Sequence, residues 1–326
     1  MDLLTHVLFA YLVTFGLVGF QPQYLAAGAL AGGLPDADAL LFLVARRFPL
    51  FRHRGITHSF VGVTAMAVAG ALLAPLLAPG SPFVYFVVME IGGLTHIALD
   101  GFTNFAVPPL LPFSKKLLRL DADRAVNLFM TAFSAVSFYV LLGIERNHVA
   151  FALYLATVDG LAVYFAVYLA VRAVGRWTVG RHAAAIGPNG AVIPTTNPFV
   201  WGLISETTAG GRLTTTWARY ALGRGLVDGP FSVAAPLAAP AAAGAPASAQ
   251  EALDRSYALA RARSRAISET YHFGDAALQN GAWTVVWYSL EYSMFGRCAG
   301  VRVRFPADGG APLVQSAFYR PVHRAF

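Results

Sequence analysis

The sequence predicts an α-helical integral membrane domain of about six transmembrane segments, followed by a smaller α+β soluble domain that is mainly antiparallel sheet. Three observations predict it. Of 326 residues, 56% are hydrophobic and 13% charged, whereas a soluble domain carries ~25% charged residues. No charged residue occurs from Ser59 to Met89, a run longer than the ~20 apolar residues that span a bilayer as a helix. From about Ala191 the texture changes to Thr-, Val- and Tyr-rich segments around Trp201, Trp217, Trp283 and Trp287, which is strand composition.

The same composition excludes intrinsic disorder, which needs low hydrophobicity and high charge. The net charge is +7, but the 24 Lys and Arg divide evenly between residues 1–182 and 183–326. That spread makes no nucleic-acid footprint, and no nucleic-acid partner is expected. Cys298 is the single cysteine, so no disulfide forms within the chain, which suits a reducing compartment. The opening residues Met1 to His6 lack the basic n-region of a signal peptide, and the first apolar segment is expected to stay as a membrane helix.

The expected membrane segments are 3–20, 24–45, 59–79, 83–100, 126–143 and 149–172, within a domain of residues 1–180. Their connectors alternate. Residues 21–23 and 80–82 carry no charge, and 144–148 holds Glu145 and Arg146. The other side holds Arg46, Arg47, Arg52 and Arg54, then Lys115, Lys116, Arg119 and Arg124, then Arg172, Arg176 and Arg181. By the positive-inside rule both termini and the basic connectors are expected in the cytoplasm, with the protein a multi-pass membrane one. Segment two contains Gly32-Gly33-Leu34-Pro35-Asp36-Ala37-Asp38. Such a break is tolerated where neighbours or water satisfy the freed backbone groups, so a broken helix lining a cavity is expected.

Residues 190–326 form the expected cytoplasmic α+β domain. Strands are expected at 199–207, 212–223, 283–294 and 299–306. The Pro/Ala-rich stretch 234–248 reads as a loop. Ser248 and Glu251 then make a capping-box pattern for a helix over about 249–268.

The chemistry gathers in the first hundred residues. His6, His53, His58 and His96 accompany Asp36, Asp38 and Asp100 there. Histidine and carboxylate are the usual ligands of zinc, manganese and iron. His96 and Asp100 are four apart, which puts both on one helix face. Carboxylates inside apolar segments are expensive and generally functional. The topology places all seven residues at one side of the membrane or in its inner half, which scattered core histidines have no reason to do. Glu90 and Asp159, also at membrane depth, read as inter-helix hydrogen-bond partners or protonated acids. His182, His272 and His323 read as surface or core histidines, and the tryptophans as sheet packing.

His6, LPDAD at 34–38, HRGITHS at 53–59 and THIALD at 95–100 occur in that order. The pattern resembles the YdjM-like family of inner-membrane proteins, described as membrane-bound metal-dependent hydrolases, over roughly residues 1–170. The resemblance implies a helical membrane domain and a divalent metal. It implies His6, Asp36, His58, His96 and Asp100 as ligands, with Asp38 and His53 as ligands or their supporting partners. The family's distant likeness to zinc-dependent phospholipase C proteins implies phosphoester substrates.

The expected function is therefore hydrolysis at the cytoplasmic face by a divalent ion, zinc first, with manganese or iron as alternatives. Asp38 would orient a ligand or act as general base. Arg54, beside His53 and His58, would pair with an anionic substrate group, unless it only anchors the basic loop. Thr57 and Ser59 would donate further hydrogen bonds, or Ser59 would cap the next helix. A membrane-embedded site calls for a small or lipid-like anionic substrate alongside the bilayer itself. The alternatives are a metal-ion transporter, a metal sensor, or a scaffold whose metal is structural.

Overall fold

A computed structural model describes residues 1–38, 55–146, 151–237, 244–264, 267, 272–294 and 297–319. The chain forms two compact units, Met1–Ala173 and Val174–Phe326.

The first unit is helical. Helix α1 (Leu3–Val18) starts at Asp2, whose carboxylate accepts from the Thr5 backbone N–H. Helix α2 (Pro22–Gly33) opens on a proline, where the missing N–H is not needed. A single 3-10 turn, Leu34–Ala37, continues it. A second short turn, Ile56–His58, leads into α3 (Phe60–Leu77), which Ser59 caps by accepting from the Gly62 N–H. Helices α4 (Pro82–Phe102), α5 (Leu128–Arg146) and α6 (Phe151–Gly180) follow.

Six membrane spans are not supported. Among the described residues three helices are long and apolar enough to cross a membrane: α3, α4 and α6. The apolar helix Leu3–Val18 and the apolar stretch Leu128–Ile144 are shorter, and α2 has only 12 residues. Within expected segment two, α2 gives way at Leu34–Ala37 to the 3-10 turn, which is the break expected at Gly-Gly-Leu-Pro, and residues 39–45 lie outside the described ones. The even number of spans that the alternating connectors implied is likewise not supported among the described residues.

Close backbone approaches hold these helices together. A Cβ on Gly92 of α4 would stand 2.3 Å from the Gly28 carbonyl oxygen of α2, and one on Gly32 would meet Ala10 of α1 at 2.4 Å. Small residues at helix crossings let membrane helices pack backbone to backbone. Glu90 accepts from the Thr64 hydroxyl at 2.9 Å, linking α4 to α3 as expected. The connector from α4 to α5 is tied down by Asp123. It accepts from Tyr168 at 2.6 Å and pairs with Arg172 at 3.1 Å, and both ion-pair side chains are fully buried. A buried charge pair survives in such a place only with hydrogen bonds of this kind.

The second unit has two four-stranded antiparallel sheets. The first has order β1-β2-β3-β4: β1 (Ala191–Pro194), β2 (Val200–Ala209), β3 (Arg212–Ala221) and β4 (Gly225–Pro236). The second has order β5-β6-β7-β8: β5 (His272–Gln279), β6 (Ala282–Met294), β7 (Arg297–Phe305) and β8 (Leu313–Tyr319). Helix α7 (Ala249–Arg263) lies between them in sequence; Ser248 caps it as expected by accepting from the Glu251 N–H, while the Glu251 carboxylate accepts from the Ala247 N–H, one residue before the N-cap. One core joins Trp217 of the first sheet, Trp287 of the second and Tyr257 of α7. The indole N–H of Trp287 donates to Ser256 at 2.8 Å.

The four expected strands are β2, β3, β6 and β7. Strands β1, β4, β5 and β8 were not expected. All four are sheet edges, where alternation and β-branching are least demanded. Strand β4 also takes residues 234–236 from the Pro/Ala stretch, pairing Pro236 with Arg212. Proline is tolerated there because an edge strand need not donate on its outer side. Residues 238–243 of that stretch lie outside the described residues.

The α2–α4 contact makes a direct prediction. Gly92→Ala should lower thermal stability in detergent by about 1–3 kcal/mol, as overpacking does, because a backbone carbonyl cannot step aside like a flexible side chain. Thermal unfolding followed by circular dichroism measures it. An unchanged midpoint would show that the two helices do not meet at Gly92.

Candidate metal centre

The site is assembled from three separate pieces of chain. The Leu34–Ala37 turn at the end of α2 carries Asp36. The turn before α3 carries His58. The last two turns of α4 carry His96 and Asp100, one above the other. One donor atom from each of Asp36, His58, His96 and Asp100 lies within 4.8 Å of the other three.

The individual distances are short and similar. His58 Nε2 stands 3.4 Å from Asp36 Oδ1 and 3.7 Å from Asp100 Oδ2. His96 Nε2 stands 3.7 Å from each of the same two oxygens. A tetrahedral ion with bonds of ~2.0–2.1 Å has ligand–ligand edges of about 3.3–3.4 Å. The donor set therefore has nearly the dimensions of a coordination shell. Asp36 alone among the four has an exposed part, at 21% of its side chain, while the others are fully buried.

The outward nitrogens of both histidines are held. His96 Nδ1 lies 2.7 Å from the Gly32 carbonyl oxygen. A carbonyl only accepts, so Nδ1 carries the proton and Nε2 offers its lone pair. His96 Nε2 is buried and makes no hydrogen bond. His58 Nδ1 lies 3.4 Å from Asp38 Oδ2 and 3.1 Å from Thr57 Oγ1. Thr57 donates to the same Asp38 oxygen at 2.7 Å. Metal-binding histidines characteristically give their second ring nitrogen to a carboxylate or a backbone carbonyl, and both forms occur here.

His6 stands beside the four donors. Its ring stacks on His96 with centroids 3.8 Å apart, and its Nε2 lies 3.1 Å from Asp100 Oδ1. The Met1 amine also contacts Asp100 Oδ1. Asp100 thus turns Oδ2 to the centre and Oδ1 to His6. Asp38 is buried and reaches the centre through His58. His53 and Arg54 lie outside the described residues. Thr57, expected to donate a hydrogen bond, gives it to Asp38 and also stands against His58 Nδ1. The Gly32 carbonyl went unnoticed because a backbone acceptor leaves no trace in residue type.

A family model described as YdjM inner membrane protein matches residues 1–179, more than half of the chain. The chain belongs to the YdjM inner membrane protein family. That match spans every donor described above, and the two sheets lie beyond it. No curated protein and no solved structure matches the chain. As a member of this family the protein is an inner membrane one.

Electrostatics at His58 give the centre a pH dependence. Burial pushes its imidazolium pKa down, but hydrogen bonds to Asp36 and then Asp38 outweigh this and hold it above the ordinary histidine range. A metal ligand must be deprotonated, so protons compete for His58 at higher pH than for a free histidine of ~6.5. Metal affinity should therefore rise with pH through that raised value and fall as the solution is acidified. Isothermal titration with zinc across pH 5 to 8 tests the sign, and a flat profile would contradict it. Asp38→Asn leaves all four donors in place and should weaken metal binding by about 10–100-fold, the usual effect of losing such a partner. Competition against a chelator measures it, and an affinity equal to wild type would remove Asp38 from the site.

Proposed function

We propose that this protein is a membrane-bound metal-dependent hydrolase. Asp36, His58, His96 and Asp100 would hold a divalent ion, zinc first and manganese or iron as alternatives. What supports the reading is the set of 3.4–3.7 Å separations between two imidazole nitrogens and two carboxylate oxygens. Two carboxylates brought this close among apolar helices need a cation or protons between them. Bound there, a divalent ion supplies Lewis acidity and brings a water's pKa toward neutrality.

The chain's own residues do the rest. The Gly32 carbonyl and Asp38 fix the two imidazoles. His6 orients Asp100 through Oδ1. The partly exposed Asp36 marks where substrate approaches. Asp38 holds His58 in its ligating tautomer; a general-base role would require it to reach the reacting water. The substrate would be a small or lipid-like phosphoester, with Arg54 as the cation for its anionic group. The positive-inside pattern of the connectors supports a site at the cytoplasmic face.

A second reading has its own support. Four protein donors complete a tetrahedral shell, and structural zinc sites are closed in this way whereas catalytic ones keep a position open. On that reading the ion is structural or sensed, and no hydrolysis occurs.

One experiment addresses both. Detergent-purified protein is analysed for metals and screened against phosphomonoesters, phosphodiesters and phospholipids. Wild type should hold about one divalent ion per chain. His96→Ala, and the milder Asp36→Asn should the first not fold, should lose it by at least tenfold in affinity and lose activity in parallel. Metal held without turnover in any screen would favour the structural reading. No divalent metal in any preparation would refute both.

A further inference from the structure

The connector between α4 and α5 has a feature that the metal centre does not use. Val107 and Leu118 pair backbone to backbone in both directions, at 3.1 and 2.8 Å. They close a loop of residues 108–117, Pro-Pro-Leu-Leu-Pro-Phe-Ser-Lys-Lys-Leu. Its tip turns apolar side chains outward: Phe113 is 86% exposed and Leu117 59%. Lys115 and Lys116 stand beside them, also exposed. No acid occurs between Asp100 and Asp121, and Arg119 is the basic residue that Asp121 takes, at 2.6 Å. The two lysines have no ion-pair partner among the described residues.

Two contacts fix where this loop stands. The Phe60 N–H, first residue of α3, donates to the Pro109 carbonyl at 2.9 Å. The Leu120 N–H donates to the Gly101 carbonyl at the end of α4 at 2.9 Å. The loop is thus pinned to the same ends of two antiparallel membrane-length helices, at the level where headgroups lie. Exposed apolar rings flanked by lysines are what an interfacial anchor presents: the rings enter the acyl boundary and the ammonium groups stay among phosphates. Each lysine near an anionic surface adds attraction.

We infer that the loop 108–117 is an interfacial anchor that inserts Phe113 and Leu117 into one leaflet and gathers anionic phospholipid around Lys115 and Lys116. Its two pins are two residues from His58 and one residue from Asp100, so the lipid it gathers lies next to the segments that carry the donors. The inference does not rest on hydrolysis or on bound metal.

The test uses the full chain in nanodiscs. Cys298 is buried, so Phe113→Cys, and separately Leu117→Cys, can be labelled with bimane against an unlabelled wild-type blank. Discs contain brominated phosphatidylglycerol in phosphatidylcholine, or brominated phosphatidylcholine in phosphatidylglycerol. The label should be quenched by brominated lipid and protected from aqueous iodide. Quenching should favour phosphatidylglycerol, and Lys115→Gln with Lys116→Gln should lower that preference, on the order of fivefold per lysine. Iodide quenching without lipid quenching at both sites would overturn insertion. Equal quenching by the two lipids, unchanged in the double variant, would overturn the anionic preference. Elution volume and thermal midpoint equal to wild type confirm that the variants fold.

Discussion

Two carboxylates and two imidazoles share a space less than 5 Å across at the end of an apolar helix bundle, and the rest of the membrane unit follows from holding them there. Like charges at that separation repel strongly in a low dielectric. Every supporting interaction answers this difficulty. Asp100 divides its oxygens between the centre and His6. Asp38 serves His58 and Thr57 together. The α2 and α4 backbones come into contact at Gly28 and Gly92, which lets Asp36 at the end of one helix meet His96 on the other. Side chains of ordinary size at that crossing would push the two helices, and Asp36 and His96 with them, apart.

The donors were legible in the sequence because of where they stand. In a stretch almost empty of charge, a histidine or aspartate has to be accounted for, and the i, i+4 pair His96 and Asp100 fixed a helix face. The roles within the cluster were less legible. His6 reads like the others in sequence, yet its nitrogen meets the outer oxygen of Asp100, and only the three-dimensional packing of α1 on α4 distinguishes the two cases. The interruption of segment two was legible as well: Gly32-Gly33-Leu34-Pro35 reads as a broken helix, and α2 gives way there to a 3-10 turn after 12 residues.

The sheet domain was legible in its centre and not at its margins. Inner strands β2, β3, β6 and β7 pack on both sides in the hydrogen-bonding direction and carry the tryptophans and valines that make a strand recognisable. The edges carry proline, glycine and alanine, because half of their backbone groups have no ladder to join. Chain chemistry at an edge is therefore close to loop chemistry, and β4 running into the Pro/Ala stretch is one instance of it.

The Gly32 carbonyl that holds His96 has a consequence for how the protein can change over time. An acceptor on the backbone belongs to every amino acid, so no substitution at position 32 can delete it as a chemical group. It can be lost only by displacement. The proper orientation of His96 is thus inherited through the spacing of two helices rather than through the identity of a residue, and the positions that safeguard it are those small enough to leave that spacing alone. A lineage could conserve this part of the chemistry through its glycines while the side chains on the outer faces of those helices drift freely.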